Sequence, residues 1–188
     1  MSLQTTEIEF KYNADCVALR TFQDFCRRLN PITEVMPAGY DHFYNKTGDE
    51  VSFCRHRVGA LTNQLTFKRK LQDNNNSVRT EHNIDLSKEM SKQQIEAFLK
   101  EFGYKWCSTI YKNAFVYVYD KYSFCYYIVY TEGMEELGRF IEIEMSEEHP
   151  WESQEQAYKM LQELEKEVSV VGLFPSRRLK KSLYEMYG

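Results

Sequence analysis

Five short runs of this sequence place charged residues two apart, so that in an extended chain they project from one face. Glu7, Glu9 and Lys11 form the first run, and Arg55 and Arg57 follow Phe53 in the second. Thr66, Lys68 and Lys70 make the third, Arg79, Glu81, Asn83 and Asp85 the fourth, and Glu142 and Glu144 the last. Carboxylates are hard oxygen ligands for Mg²⁺ or Mn²⁺. Lys and Arg give charge-assisted hydrogen bonds to phosphate oxygens. A polyphosphate carrying its metal ion would satisfy both sets. The acids are concentrated on the first and last runs and the bases on the second and third.

The residues between the charges are apolar. Ile8, Phe10 and Tyr12 oppose the first run, Leu65, Phe67 and Leu71 the third, and Ile141, Ile143 and Met145 the last, with Arg69 an exception on the apolar side. This alternation predicts strands at about 6–12, 40–45, 51–58, 64–71, 78–86, 109–119, 124–131 and 139–145, mostly in hairpin order. Gln72–Ser77 reads as a hairpin tip. Amphipathic spacing predicts helices at about 14–29, 91–102 and 152–168, with a short fourth at 176–187. Ser91 with Gln94 and Ser153 with Gln156 resemble capping boxes, and Gly103 follows the second helix as a stop.

A sheet with its polar face in water is the ordinary reading of such alternation. Segregation of the charges by sign favours another, as does the apolar surface that three amphipathic helices need to cover. In that reading the expected class is α+β: an eight-stranded antiparallel closed β-barrel, helices packed outside and charges lining the inside. Without a ligand, water and ion pairs across the barrel must then satisfy the lumen.

Composition narrows the function classes. The 188 residues read as one domain, and a net charge of −4 gives no general attraction to nucleic acid or anionic membrane. No stretch approaches the roughly 20 apolar residues of a membrane span. The N-terminus lacks the features of a signal peptide, so a cytoplasmic location is expected. Five cysteines without Cys-x-x-Cys spacing argue against a disulfide framework or structural zinc and for free thiols. The four histidines are scattered without metal-ligand spacing and read as structural or surface residues.

In order along the chain, these runs resemble the CYTH superfamily, the triphosphate tunnel metalloenzymes. Glu7-Ile8-Glu9-Phe10-Lys11 is similar to the family's Glu-x-Glu-x-Lys signature, and Asp41-His42-Phe43-Tyr44-Asn45 to its Asp-x-Tyr-Tyr-Asp segment. Phe53-Cys54-Arg55-His56-Arg57 resembles its Leu-Arg-x-Arg strand, and Leu65-Thr66-Phe67-Lys68 its Leu-Thr-x-Lys strand. Arg79-Thr80-Glu81-His82-Asn83 resembles Arg-x-Glu-x-Glu with the last acid replaced. Leu137-Gly138-Arg139-Phe140-Ile141-Glu142-Ile143-Glu144 is similar to Leu-Gly-x-Phe-x-Glu-x-Glu, and Ser182–Met186 to a C-terminal Ser-Tyr-x-Glu-Leu segment. One departure stands out: where the family has a Lys-x-Arg pair, this chain reads Lys112-Asn113-Ala114. The acid that usually precedes the Leu-Gly step falls at Glu132 or Glu135.

The family includes class IV adenylyl cyclases and thiamine, inorganic and RNA triphosphatases. The resemblance implies that Glu7, Glu9, Glu142 and Glu144, with Glu81 as a fifth candidate, hold one or two Mg²⁺ or Mn²⁺ ions. Lys11, Arg55, Arg57, Lys68, Arg79 and Lys112 would grip the triphosphate. Glu7, Glu9, Lys11 and Glu144 would be the catalytic set. Lys70 shares the Lys68 face, and Arg177, Arg178 or Lys181 would reach a tunnel mouth. Hydrolysis of a triphosphate substrate is the expected activity: inorganic, nucleoside or thiamine triphosphate, or an RNA 5′-triphosphate end. A cyclase making cyclic AMP, or a module that binds without turnover, are the alternatives. The expected partner is a small-molecule triphosphate or nucleotide, with the chain a monomer or homodimer and no membrane involved.

Overall fold

In a computed structural model, which describes residues 3–70, 78–146, 151–170 and 178–188, the alternating runs are strands. They are β1 (Leu3–Asn13), β2 (Thr33–Val35), β3 (Ala38–Lys46), β4 (Asp49–Gly59), β5 (Asn63–Lys70), β6 (Val78–Asp85), β7 (Tyr104–Val118), β8 (Tyr122–Tyr130) and β9 (Glu136–Met145). The helices are α1 (Leu19–Arg28), α2 (Lys92–Glu101), α3 (Gln154–Val170) and α4 (Leu183–Tyr187). The strands pair in the order β7-β3-β4-β5-β6-β1-β9-β8, and β8 pairs back onto β7. All pairings are antiparallel, so eight strands close into the expected barrel and β2 stands outside it on β7. The sequence reading lacked β2 because its three residues, held between Pro31 and Pro37, are too few to show a period. The 72–77 tip lies outside the described residues.

β1 is the seam. Its first half, Leu3–Ile8, pairs with β6, and its second half, Glu9–Asn13, pairs with β9. That split sets the acidic first run between the mixed fourth run and the acidic last run.

Outward apolar residues are covered as the alternation requires. Phe10, Tyr12, Phe124, Tyr126, Ile141 and Ile143 bury against Phe22 and Cys26 of α1 and Ala157 and Leu161 of α3. Ile95 and Leu99 of α2 cover Tyr44, Cys54 and Leu65. Two buried tyrosines tie α1 and the turn before it to the barrel: Tyr119 donates to the Cys26 carbonyl at 2.8 Å and Tyr126 to the Val17 carbonyl at 3.0 Å. The tyrosine-rich β8 is thus partly outer core.

α1 starts five residues later than the apolar spacing suggests, because 14–18 form a turn closed by Val17 N–H on the Ala14 carbonyl. α2 has its capping box at Ser91 and Gln94 and ends at Gly103, whose φ of +82° lets the chain turn directly into β7. Ser153 accepts from Gln156 N–H at 3.1 Å, while the Gln156 side chain reaches Glu152 N–H rather than Ser153. No helix among the described residues is long and apolar enough to cross a membrane.

α4 closes one end of the barrel. Ser182 and Glu185 form a reciprocal capping box, and Leu183 enters an inward-facing apolar cluster of Phe43, Phe53, Ile110, Tyr127, Val129 and Phe140. Tyr184 stacks on Phe53 with ring centroids 4.6 Å apart. Lys70 pairs with Glu185, so it braces this plug and is not among the residues lining the cavity.

Candidate functional site

Above the plug the lumen is a cavity of about 650 Å³. Its walls include Glu7, Glu9, Lys11, Arg55, Arg57, Lys68, Arg79, Glu81, Lys112, Glu142 and Glu144, so all the residues expected to hold metal or grip the triphosphate border one space. The strand register explains their neighbours. Glu9 lies opposite Glu144, Lys11 opposite Glu142, Glu7 opposite Arg79 and Lys68 opposite Glu81.

Ion pairs fill the lumen, mostly within or between neighbouring strands, while Lys68–Glu7 and Lys112–Glu142 each reach past one intervening strand. Lys68 Nζ donates to both carboxylate oxygens of Glu7 at 2.9 Å and pairs with Glu81. Lys11 Nζ lies 3.3 Å from Glu9 and 3.0 Å from Glu142. Tyr127 donates to Glu142 at 2.7 Å, and Lys112 stands 3.8 Å from Glu142 and 3.6 Å above the Tyr127 ring. Arg57 forms a two-pronged pair with Asp41 at 2.7 and 2.8 Å.

Two groups stay unsatisfied. The buried Nε atoms of Arg55 and Arg79 have no hydrogen-bond partner among the described residues. Among the described residues no hydrogen bond or ion pair engages the Glu144 carboxylate. Burial, together with the charges of Glu7, Glu9 and Glu142, pushes the Glu144 carboxyl well above the ordinary carboxylate range. Burial and then Glu142 and Glu7 raise Glu9 in the same way. Glu142 goes the other way: burial would raise it, but Lys11 and Lys112 hold it far below its usual value. The lumen therefore has one place wanting a cation and another wanting an anion.

Four carboxylates on adjacent strands are a donor set suited to Mg²⁺ or Mn²⁺. As they stand, no three His, Cys, Asp or Glu side chains among the described residues converge tightly enough to hold an ion. The ammoniums of Lys11 and Lys68 occupy the carboxylates instead. A cation would fit by taking the place of these ammoniums, which would free both lysines to meet an anion.

Sequence reasoning missed Tyr127, Asp41 and Asn83 as site residues. Tyr127 shares the Cys125 face of β8, a parity that separates it from the outward Tyr126. Asn83, where the resemblance leads one to expect an acid, donates to Glu81 at 3.3 Å and accepts from Thr66 at 2.8 Å, and Thr66 in turn accepts from Arg55 at 3.1 Å. Arg178 does not reach the tunnel: it pairs with Glu165 of α3 and lies 3.4 Å over the outward Phe10 ring. Arg177 lies outside the described residues, and Lys181 is exposed and not part of the cavity wall. Glu132 and Glu135 are exposed in the β8–β9 turn, away from the lumen.

Neither family models nor curated protein sequences match this chain. Solved structures do. A Pyrococcus horikoshii protein superposes with a TM-score of 0.71 at 19% identity, covering 97% of this chain and 99% of its own. A candidate adenylate cyclase from Vibrio parahaemolyticus gives 0.64 at 14% identity, covering 97% of each. A chain of the Schizosaccharomyces pombe Mediator head module gives 0.63 at 9% identity, covering 93% of this chain and all of that one. Likeness at such identities establishes architecture, and architecture alone does not fix chemistry. The chain shares the closed antiparallel barrel architecture of these structures.

Proposed function

We propose that the chain is a metal-dependent hydrolase of a triphosphate substrate bound in the lumen. The observation that carries this reading is the pairing of unmet demands: clustered, mutually repelling carboxylates on β1 and β9 face Arg55 and Arg79, whose Nε atoms lack partners. A divalent ion held by Glu9 and Glu144, with Glu7, Glu142 and Glu81 alongside, would neutralise charge on the phosphoryl oxygens. Lys11, Arg55, Arg57, Lys68, Arg79 and Lys112 bind the phosphates and absorb the negative charge of the transition state. Water attacks the terminal phosphorus, the bridging P–O bond breaks, and diphosphate leaves. The proton lost by the attacking water is taken up by the phosphate that is released. The plug keeps other water from the inner end.

A second reading is cyclisation of ATP, in which the ribose 3′-hydroxyl attacks the α-phosphorus and pyrophosphate leaves. It is favoured by the likeness to the Vibrio protein. One assay separates them: incubate the purified chain with ATP, inorganic triphosphate and thiamine triphosphate, with Mg²⁺ or Mn²⁺. Release of orthophosphate supports the hydrolase, cyclic AMP with pyrophosphate supports the cyclase, and saturable binding without product overturns both.

A further inference from the structure

α2 carries more apolar surface than the barrel covers. Ile95 and Leu99 are buried over Tyr44, Cys54 and Leu65. Phe98 and Phe102, one turn apart on the same helix, are 54% and 57% exposed, with ring centroids 4.9 Å apart. Ile84 of β6, opposite Leu65 in the register, is 40% exposed beside them. These three side chains leave roughly 300 Å² of apolar surface open, a size at which a patch is often functional. Helical spacing puts Gln94, Ala97, Phe98 and Glu101 on one flank, and all four are exposed. Gln94 Oε1 is taken by Ser91 in the capping box, while no described residue accepts from the Gln94 amide nitrogen. Glu101 has no ion pair or hydrogen bond among the described residues, and it lies in the last turn of α2, where a carboxylate opposes its own helix dipole.

We propose that this flank is a homodimer interface, with α2 packed antiparallel on α2 of a second copy about a two-fold axis. In one antiparallel register Phe98 falls over Ala97 of the partner subunit, and Glu101 meets Gln94 of the partner subunit. The two-fold axis repeats both contacts. A large ring over a small residue fills the space between two helices without strain. Gln94 donates its free amide to the facing carboxylate. Each Glu101 then lies by the N-terminal end of the other helix, where negative charge is favoured. A mismatch in one copy thus becomes a match in two, and an isologous contact demands that the same residues supply both halves. That reciprocity selects a second copy over an unrelated protein. Counted on both copies, the apolar patch with Gln94, Ala97 and Glu101 approaches the roughly 1,000 Å² of a specific contact, so the dimer is reversible. None of these residues lines the cavity, and the inference is independent of the hydrolase reading.

The test is sedimentation velocity of the full chain over a concentration series, with circular dichroism to confirm that each variant is folded. The wild type should pass from monomer to dimer as concentration rises. Phe98→Ser should raise the dissociation constant about tenfold or more. Ala97→Arg, at an exposed helix position, should weaken the dimer while every apolar ring stays in place. Gln94→Glu keeps the capping box but sets two acids against each other, so it should weaken the dimer as well. Adding Glu101→Lys to Gln94→Glu should restore it, because the facing charges are then opposite. A wild type that stays monomeric throughout overturns the proposal and leaves the flank to a different protein. A dimer that Phe98→Ser and Ala97→Arg leave unchanged overturns it too. So does a dimer that Gln94→Glu weakens and Glu101→Lys fails to rescue, since the antiparallel register would be wrong. No readout involves turnover, so the result stands whether or not the chain hydrolyses a triphosphate.

Discussion

The two ends of the barrel are built on opposite principles. At the α4 end, inward positions of β3, β4, β8 and β9 carry aromatic side chains that pack on one another, edge-on at Phe43 and stacked elsewhere. Phe53 stacks on Tyr184, and Tyr127 on Phe140 at 5.3 Å. At the other end the same kinds of position carry carboxylates and guanidiniums, several of them poorly partnered. One end is arranged for stability and the other tolerates instability. A dry aromatic floor beneath the charges also strengthens every electrostatic interaction above it.

The sharpest way to break this contrast is at Glu144. Glu144→Ala or Glu9→Ala should abolish metal-dependent turnover, a loss of about a thousandfold or more, while circular dichroism shows the fold intact. Full activity in both variants would remove the metal assignment. Glu144→Gln should raise the melting temperature while activity is lost, because it removes a carboxylate that its neighbours repel. At the plug the signs reverse. Phe53→Ala should cost about 3–5 kcal/mol in denaturant unfolding, because it deletes the ring under Tyr184.

A region outside the lumen serves as the control. His56 Nε2 donates to Asn63 Oδ1 at 2.7 Å, since the Asn63 amide already donates to the Ser87 and Met90 carbonyls. That leaves His56 Nδ1 buried without a partner among the described residues, its ring centroid 5.7 Å from that of His42. Burial and then Lys92 hold His42 down at about 4, and burial also lowers His56. Because the folded values lie below the ordinary one, the stability from these neutral rings is complete above about pH 6.5 and lost as pH falls toward 4. For His42 that amounts to roughly 3 kcal/mol, to be read as a fall in melting temperature that His42→Gln reduces. Smallest of all, Ser182→Ala should cost about 1 kcal/mol through its lost cap, measured by thermal unfolding.

The charged half was legible because strand period is strict. Once Glu7, Glu9, Lys11, Arg55, Arg57 and Lys68 alternate with apolar residues, their shared face follows. The plug was less legible. Phe43, Phe53 and Tyr127 sit on the same face as the charges, and an aromatic residue there reads as either core or lumen until the register is known. Lys70 and Arg178 show the opposite failure: a cation of the right parity or position is claimed by a carboxylate, Glu185 or Glu165, that no local pattern announces. Which exposed residues border the cavity was invisible, since Met36 and Leu61 lie in turns, where periodicity carries no information.

The seam at β1 has a consequence for how the protein is made. Glu9 and Glu144 become neighbours only when the first strand zips to the last, across more than a hundred intervening residues. During synthesis the barrel stays an open sheet with an unpaired edge until β9 has emerged, and the two acids resist that final closure. Any cation that bridges them would act as a latch on the ring, binding the closed state and not the open one.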